Sequence, residues 1–178
     1  MNEHINETIH MDREGNSFLI RPITPSDKDY LKIGLKEMTP ESRRQRFQSG
    51  KNDFSEKELK YLTEVDMHDH IAFVACIKKE PHDLPAGVIR GIKDKNQPLK
   101  LEIAITIIDH YQGRGLGLAM MNKLESYAKN QGYTHFFGDL HNSNDKMVKL
   151  LQKFSKNHQD FVLTHVGEGF LYFEVRLK

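Results

Sequence analysis

The stretch from Leu101 to Gln131 constrains the fold of this chain more than any other. Leu101-Glu102-Ile103-Ala104-Ile105-Thr106-Ile107-Ile108 is a β-branched run in which Glu102, Ala104 and Thr106 alternate with bulkier aliphatic residues, the pattern of a strand with two unlike faces. Three residues later comes Gln112-Gly113-Arg114-Gly115-Leu116-Gly117. Beyond it, Leu116, Met120, Leu124, Tyr127 and Ala128 recur every three or four positions up to Gly132, which predicts a helix from Gly115 to Gln131 with a glycine stop. Strand, glycine turn and helix in that order form the mouth of an α/β site. Glycines let the backbone approach a ligand or adopt positive φ, and the first amides of the helix lack internal partners. A pyrophosphate suits such a corner, with the positive end of the helix dipole behind it and Arg114 able to add a charge. No lysine followed by Ser or Thr closes the turn, so it is not a Walker loop. It also comes too late in the chain for a dinucleotide fingerprint.

The rest of the chain fits around this unit. Phe18–Ile23 reads as the first strand, stopped by Thr24-Pro25-Ser26-Asp27, and Thr24 or Ser26 can cap the helix that follows. Thr39-Pro40 opens a short basic helix with Arg43, Arg44 and Arg46, and Ser55 with Glu58 forms a capping box for another. Strands two and three are expected at about 70–78 and 86–92, strand four at 101–108 and strand five at 133–140. Asn144 then caps a helix carrying Met147, Leu150, Leu151 and Phe154, and 161–164 with 170–175 form a closing hairpin. The expected fold class is α/β: a mixed, twisted central sheet with helices on both faces. At 178 residues the chain has the length of one domain. We expect a polar N-terminal extension at 1–17 and one domain at 18–178.

Charge and composition exclude several classes. Lys plus Arg number 26 and Asp plus Glu 25, a formal charge of +1, so no global field draws the chain to nucleic acid or an anionic membrane. No apolar run has the length of a membrane span, and the polar first dozen residues read as a ragged terminus or a short accessory turn rather than a signal peptide. The expectation is a cytoplasmic protein. The lone Cys76 lies in an apolar run and reads as a buried thiol rather than a nucleophile. His68-Asp69-His70 lacks a full ligand set, so no metal is expected.

The residues of the glycine turn resemble the coenzyme A signature of the GCN5-related N-acetyltransferase (GNAT) family. Arg21-Pro22-Ile23-Thr24-Pro25, Met38-Thr39-Pro40-Glu41-Ser42-Arg43, Leu62-Thr63, Val65-Asp66 and Ala72-Phe73-Val74-Ala75 resemble one branch, the acetyltransferase domain of bacterial protein lysine acetyltransferases. The resemblance implies acetyl-CoA as co-substrate and a splay between strands four and five that takes the pantetheine arm. Backbone groups of Ile105, Thr106 and Ile107 would pair with that arm, Gln112, Gly113, Arg114, Gly115, Leu116 and Gly117 would enclose the pyrophosphate, and Asn144 would contact the arm, cap its helix, or do both. Amides near Ile107, oriented by an interruption of the strand, would stabilise the thioester oxyanion.

The chemistry then needs a proton acceptor. A lysine amine with pKa about 10.4 attacks only when neutral, and removing its proton at pH 7 costs about 4 to 5 kcal/mol. By the resemblance, Glu102 is the catalytic base; a solvated or salt-bridged strand-end glutamate is the alternative. Where many relatives carry an acidic tyrosine this chain has Leu151, with Ser155 and Lys156 following, so thiolate release to water is expected, with Tyr172 as a distant reserve. The partner is an amine acceptor, with a protein lysine as one candidate. A small amine, a protein N-terminus and a non-catalytic acyl-CoA sensor remain open. Subunit number is not legible, and a homodimer is compatible with the sequence.

Overall fold

The computed structural model describes residues 7–79 and 82–178. Its strands are β1 (Thr8–Met11), β2 (Ser17–Pro22), β3 (His70–Ile77), β4 (Leu84–Lys93), β5 (Lys100–Ile107), β6 (His135–His141), β7 (Phe161–His165) and β8 (Phe170–Arg176). Its helices are α1 (Lys28–Glu37), α2 (Pro40–Phe47), α3 (Glu56–Thr63), α4 (Leu116–Asn130) and α5 (Asp145–Ser155), with short 3-10 turns at Pro25–Asp27 and Asp109–Tyr111. The strands form one sheet in the order β1-β2-β3-β4-β5-β6-β8-β7. Of the strand pairs, β5–β6 is parallel and the rest antiparallel.

One expectation is corrected. The ragged terminus is in part an edge strand, since Thr8–Met11 pairs with Ile20–Ser17 of β2. Ile9 and Met11 are 68% and 66% exposed, so this strand is held by backbone bonds and leaves no apolar alternation to read. With β1 counted, the expected strands four and five are β5 and β6.

Each face of the sheet buries its own cluster. Against α4 and α5, Phe18, Ile20, Ile71, Phe73, Ile89, Leu101 and Ile103 meet Met120, Leu124, Leu151 and Phe154. On the other face, Ala72 and Val74 of β3 meet Ile23, Leu31 and Leu59. The helix starts follow local chemistry: Thr39 accepts the Ser42 amide at 3.2 Å ahead of Pro40, and Ser55 and Glu58 satisfy each other's amides.

The link from β2 to α1 depends on a near-buried ion pair. Arg21 grips Asp27 through both terminal nitrogens, at 2.8 and 2.7 Å, and Asp27 also accepts the Thr24 amide at 2.7 Å. Burial alone would raise the Asp27 carboxyl, but Arg21 and Thr24 outweigh it and hold it below the usual range. Asp27→Ala leaves the largely buried Arg21 charge with only the Pro22 carbonyl as acceptor among the described residues. The expected loss is about 3 kcal/mol, typical for breaking a buried pair from one side, measured as a lower denaturant midpoint with an unchanged slope.

Candidate active site

The sheet opens where β5 and β6 part. Their parallel pairing covers Lys100↔His135, Leu101↔Phe136 and Glu102↔Phe137 and then stops. Beyond it, β5 stays with β4 as far as Ile107↔Gly87, and β6 stays with β8 as far as His141↔Phe170. Ile103 to Ile107 therefore border a gap on their β6 side. The expected interruption within this strand is not seen, because β5 runs unbroken from Lys100 to Ile107. A register shift lies instead between Ala75 and Cys76, where β3 pairs with β4.

At the end of the gap the glycine turn leads into α4. Gly113 and Gly115 have φ of +76° and +83°, conformations that side chains with a Cβ rarely adopt. Gly115 is the N-cap of α4 and supplies no side-chain oxygen, so no side chain caps the first amides. Gly117 serves packing: a Cβ there would lie 3.2 Å from Leu150 Cδ2 of α5.

Two side chains expected to face phosphate are instead bound within the protein. Gln112 Nε2 donates to the Ile107 carbonyl at 2.9 Å, and its Oε1 accepts from Lys146 at 2.5 Å. Arg114 donates to Asp12 at 3.2 Å, to Glu14, and through Nε to the His110 carbonyl at 3.2 Å. Burial would raise the Asp12 carboxyl, but hydrogen bonds from Asn16 and Arg114 bring it down to about 2. His10 Nε2 also lies 3.2 Å from the Arg114 carbonyl. The N-terminal hairpin thus braces the turn from outside. Asn144 accepts the Met147 amide at 3.1 Å and caps α5.

Sequence reasoning missed Asp109, just after β5. It accepts the Thr39 amide at 3.0 Å, the Thr39 hydroxyl at 3.2 Å and the Ser42 hydroxyl at 2.7 Å. These bonds outweigh burial and keep the carboxyl below its usual range. The start of α2 is thereby tied to the segment that leads into the glycine turn. Thr39 and Asp109 lie 70 positions apart, a distance at which no local pattern could have paired them.

Glu102 occupies the last β5–β6 pair, is exposed, and shares a sheet face with Ala104 and Thr106. Ile92, Arg90 and Val88 of β4 stand directly opposite these three. This is the face covered by α1, α2 and α3, where burial pulls the Arg46 guanidinium of α2 below its usual range and the Glu102 charge opposes that shift. Of the basic helix, Arg43 reaches Asn52 and Arg44 pairs with Glu41, while Arg46 lines a cavity with Arg90.

No acid for the leaving group is evident on the helix where relatives place one. Leu151 is fully buried, and Ser155 donates to the Gln152 carbonyl at 3.3 Å. The Tyr172 hydroxyl donates to Glu174 at 2.6 Å, and burial together with that carboxylate pushes it above the usual phenol range. Burial raises the Cys76 thiol to about 11, away from nucleophile chemistry. His68 pairs with Asp69, whereas the buried His70 accepts from Arg90 Nη1 at 3.0 Å.

Three comparisons bear on this geometry. A family model described as the acetyltransferase (GNAT) family matches residues 35–155. Acetyltransferase Pat of Mycolicibacterium smegmatis is 30% identical over 141 residues, 79% of this chain and 41% of that protein. Acetyltransferase PA5475 of Pseudomonas aeruginosa is 27% identical over 124 residues, 70% of this chain and 66% of that protein. The chain thus matches less than two thirds of either curated relative. The crystal structure of the GNAT domain of S. lividans PAT superposes with a TM-score of 0.84 at 22% identity, covering 96% of this chain and 97% of that one. That likeness supports the mixed α/β architecture. No helix among the described residues is long and apolar enough to cross a membrane.

Proposed function

Because this chain belongs to the GNAT acetyltransferase family, whose model spans residues 35–155, we propose that it transfers the acetyl group of acetyl-CoA to a primary amine, with a protein lysine as the favoured acceptor. The observation that carries this reading is the opening of the sheet after the Glu102↔Phe137 pair, beside the uncapped start of α4. The pantetheine arm lies along Ile105, Thr106 and Ile107, which have lost β6 as a neighbour. The pyrophosphate sits on the amides between Gly113 and Gly117.

The roles of Gln112 and Arg114 are then indirect. Gln112 holds the end of β5, and Arg114 fixes the turn to the N-terminal hairpin. Binding rests on backbone amides and the helix dipole more than on a free guanidinium. Asn144 offers its amide nitrogen to the arm while its oxygen caps α5.

Reaction follows by direct attack. The neutral amine nitrogen bonds to the thioester carbon, the carbon–sulfur bond breaks, and the thiolate leaves. Glu102 takes the amine proton, directly or through one water. Backbone N–H groups near Ile107 stabilise the oxyanion, held in place by the continuous β4–β5 pairing. Leu151 cannot donate a proton and Tyr172 is committed to Glu174, so water protonates the thiolate. The resemblance of Arg21-Pro22-Ile23-Thr24-Pro25 and Met38-Thr39-Pro40-Glu41-Ser42-Arg43 to bacterial protein lysine acetyltransferases favours a protein lysine over a small amine.

Incubation with isotopically labelled acetyl-CoA, against a cell proteome and an amine panel in parallel, tests the reading by mass spectrometry. Label on lysine Nε atoms is expected. Label confined to N-termini or small amines rejects the lysine acceptor. Coenzyme A binding without transfer to any acceptor rejects the enzyme.

A further inference from the structure

Beneath α1 and α2 lies a cavity of about 70 Å³. Its walls include Tyr30, Phe47, Phe54, Leu62, Val88 and Thr106, and two guanidinium groups line it, Arg46 from α2 and Arg90 from β4. Arg90 is 4% exposed. Its Nη1 donates to the Leu62 carbonyl at 3.3 Å and to His70 Nε2 at 3.0 Å, and its other nitrogens bond to no described residue. Among the described residues no enclosed polar side-chain atom lacks a partner, so those donors are not sealed off, and the cavity is the space that Arg90 lines. Arg46 likewise has no hydrogen bond or ion pair among the described residues, and it stacks over the Phe47 ring at 5.0 Å.

Glu102 reaches Arg46 only as a charge and makes no hydrogen bond to it, so two cations in apolar walls keep unused donors that suit an incoming anion. Burial and the charge of Arg46 bring Arg90 down to about 10, so it remains a cation at neutral pH. His70 cannot relieve the strain: burial and Arg90 hold it down at about 4, neutral and accepting. Planar forks of this kind bind carboxylates through paired hydrogen bonds.

We propose that this cavity seats a carboxylate at the far end of the transferred acyl chain, so that the protein accepts dicarboxylic acyl thioesters of the succinyl class. The inference rests on the β5–β6 opening being the thioester site. Arg90 stands directly opposite Ala104, and Val88 opposite Thr106, so the cavity lies one strand away from the open edge of β5. Strands are about 4.8 Å apart. The three carbon–carbon bonds of a succinyl arm, about 1.5 Å each, cover most of that distance. Ala104, small between Glu102 and Thr106, leaves the way open. The transfer itself is unchanged. The amine nitrogen bonds to the thioester carbon, the carbon–sulfur bond breaks, the thiolate leaves, its proton comes from water, and Glu102 takes the amine proton. The product is an amide with a free terminal carboxylate.

Succinyl-CoA and butyryl-CoA have the same chain length and differ in carrying a carboxylate or a methyl. With one carboxylate-free amine as acceptor, kcat/KM should favour succinyl-CoA by roughly tenfold or more, the worth of charged hydrogen bonds. In Arg46→Gln the ratio should fall toward one; comparing donors within each variant cancels any shared change in turnover, and melting curves confirm folding. A wild-type ratio of one or less, or a ratio unaffected by the substitution, overturns the proposal. A second arm holds acetyl-CoA fixed and compares amino acids with their amides. An Arg46-dependent preference there, instead of with the donors, moves the carboxylate to the acceptor and rejects the donor assignment. Calorimetric titration with succinyl-, butyryl- and acetyl-CoA needs no turnover. Failure to bind any of them defeats the proposed function, whereas binding without an Arg46-dependent succinyl preference defeats only this inference.

Discussion

Glu102→Gln is expected to lower kcat by roughly 100- to 1000-fold at pH 7, within the range for loss of a general base, while acetyl-CoA affinity changes less than about twofold. The substitution keeps the shape of the side chain and removes one acceptor charge. Glu102 is exposed on the last β5–β6 pair, so losing its charge exposes no apolar surface and breaks none of the sheet bonds. Turnover then depends on amine that has already lost its proton to solvent. For an acceptor of pKa about 10.4, that fraction rises roughly tenfold per pH unit below the pKa. The variant's rate therefore climbs with pH, and its deficit shrinks between pH 7 and pH 10. A pH–rate series on a verified acceptor, with acetyl-CoA binding measured separately, gives both numbers. Equal turnover of the two proteins across that range removes Glu102 from the reaction.

The elements that sequence reasoning recovered are those with a local cause. The alternation from Leu101, the helical spacing from Leu116, and the caps at Thr39, Ser55 and Asn144 each act within a few residues. The glycine turn was legible as an uncapped helix start for the same reason. What escaped was held by partners distant in sequence. β1 is an exposed edge, and its contact with the turn joins Asp12 to Arg114 across 102 positions. Asp109 carries no local signal, since its partner Ser42 at the start of α2 lies 67 positions away. Arg90 was not singled out, because its burial is set by His70, 20 positions away on the neighbouring strand. Arg114 shows a second distant tie: a positive charge in a phosphate turn suggests a ligand, and the structure also pairs it with acidic residues of the N-terminal hairpin.

The phosphate role of the turn can be separated from its structural role by a matched pair of substitutions at the two ends of α4. Gly115 and Gly132 have nearly the same φ, +83° and +87°, so alanine imposes similar backbone strain, on the order of 1 kcal/mol or more, at either position. Gly132 closes the C-terminal end through its amide to the Lys129 carbonyl, in open surroundings. Gly115 begins the helix, and a Cβ there would only touch His10 Nε2 at 3.4 Å, an ordinary contact, so here too the strain falls on the backbone. Both variants should melt earlier by similar amounts. Only Gly115→Ala should weaken acetyl-CoA binding, by roughly tenfold or more, because amides that must converge on one anion lose their alignment when the turn relaxes. Dephospho-coenzyme A, which keeps the pyrophosphate but lacks the 3′-phosphate, should lose affinity by the same factor, and pantetheine, which has no phosphate, should be unaffected. If Gly115→Ala and Gly132→Ala bind acetyl-CoA equally well, the amides at the start of α4 are not what holds the pyrophosphate, and Gly115 serves only to turn the chain.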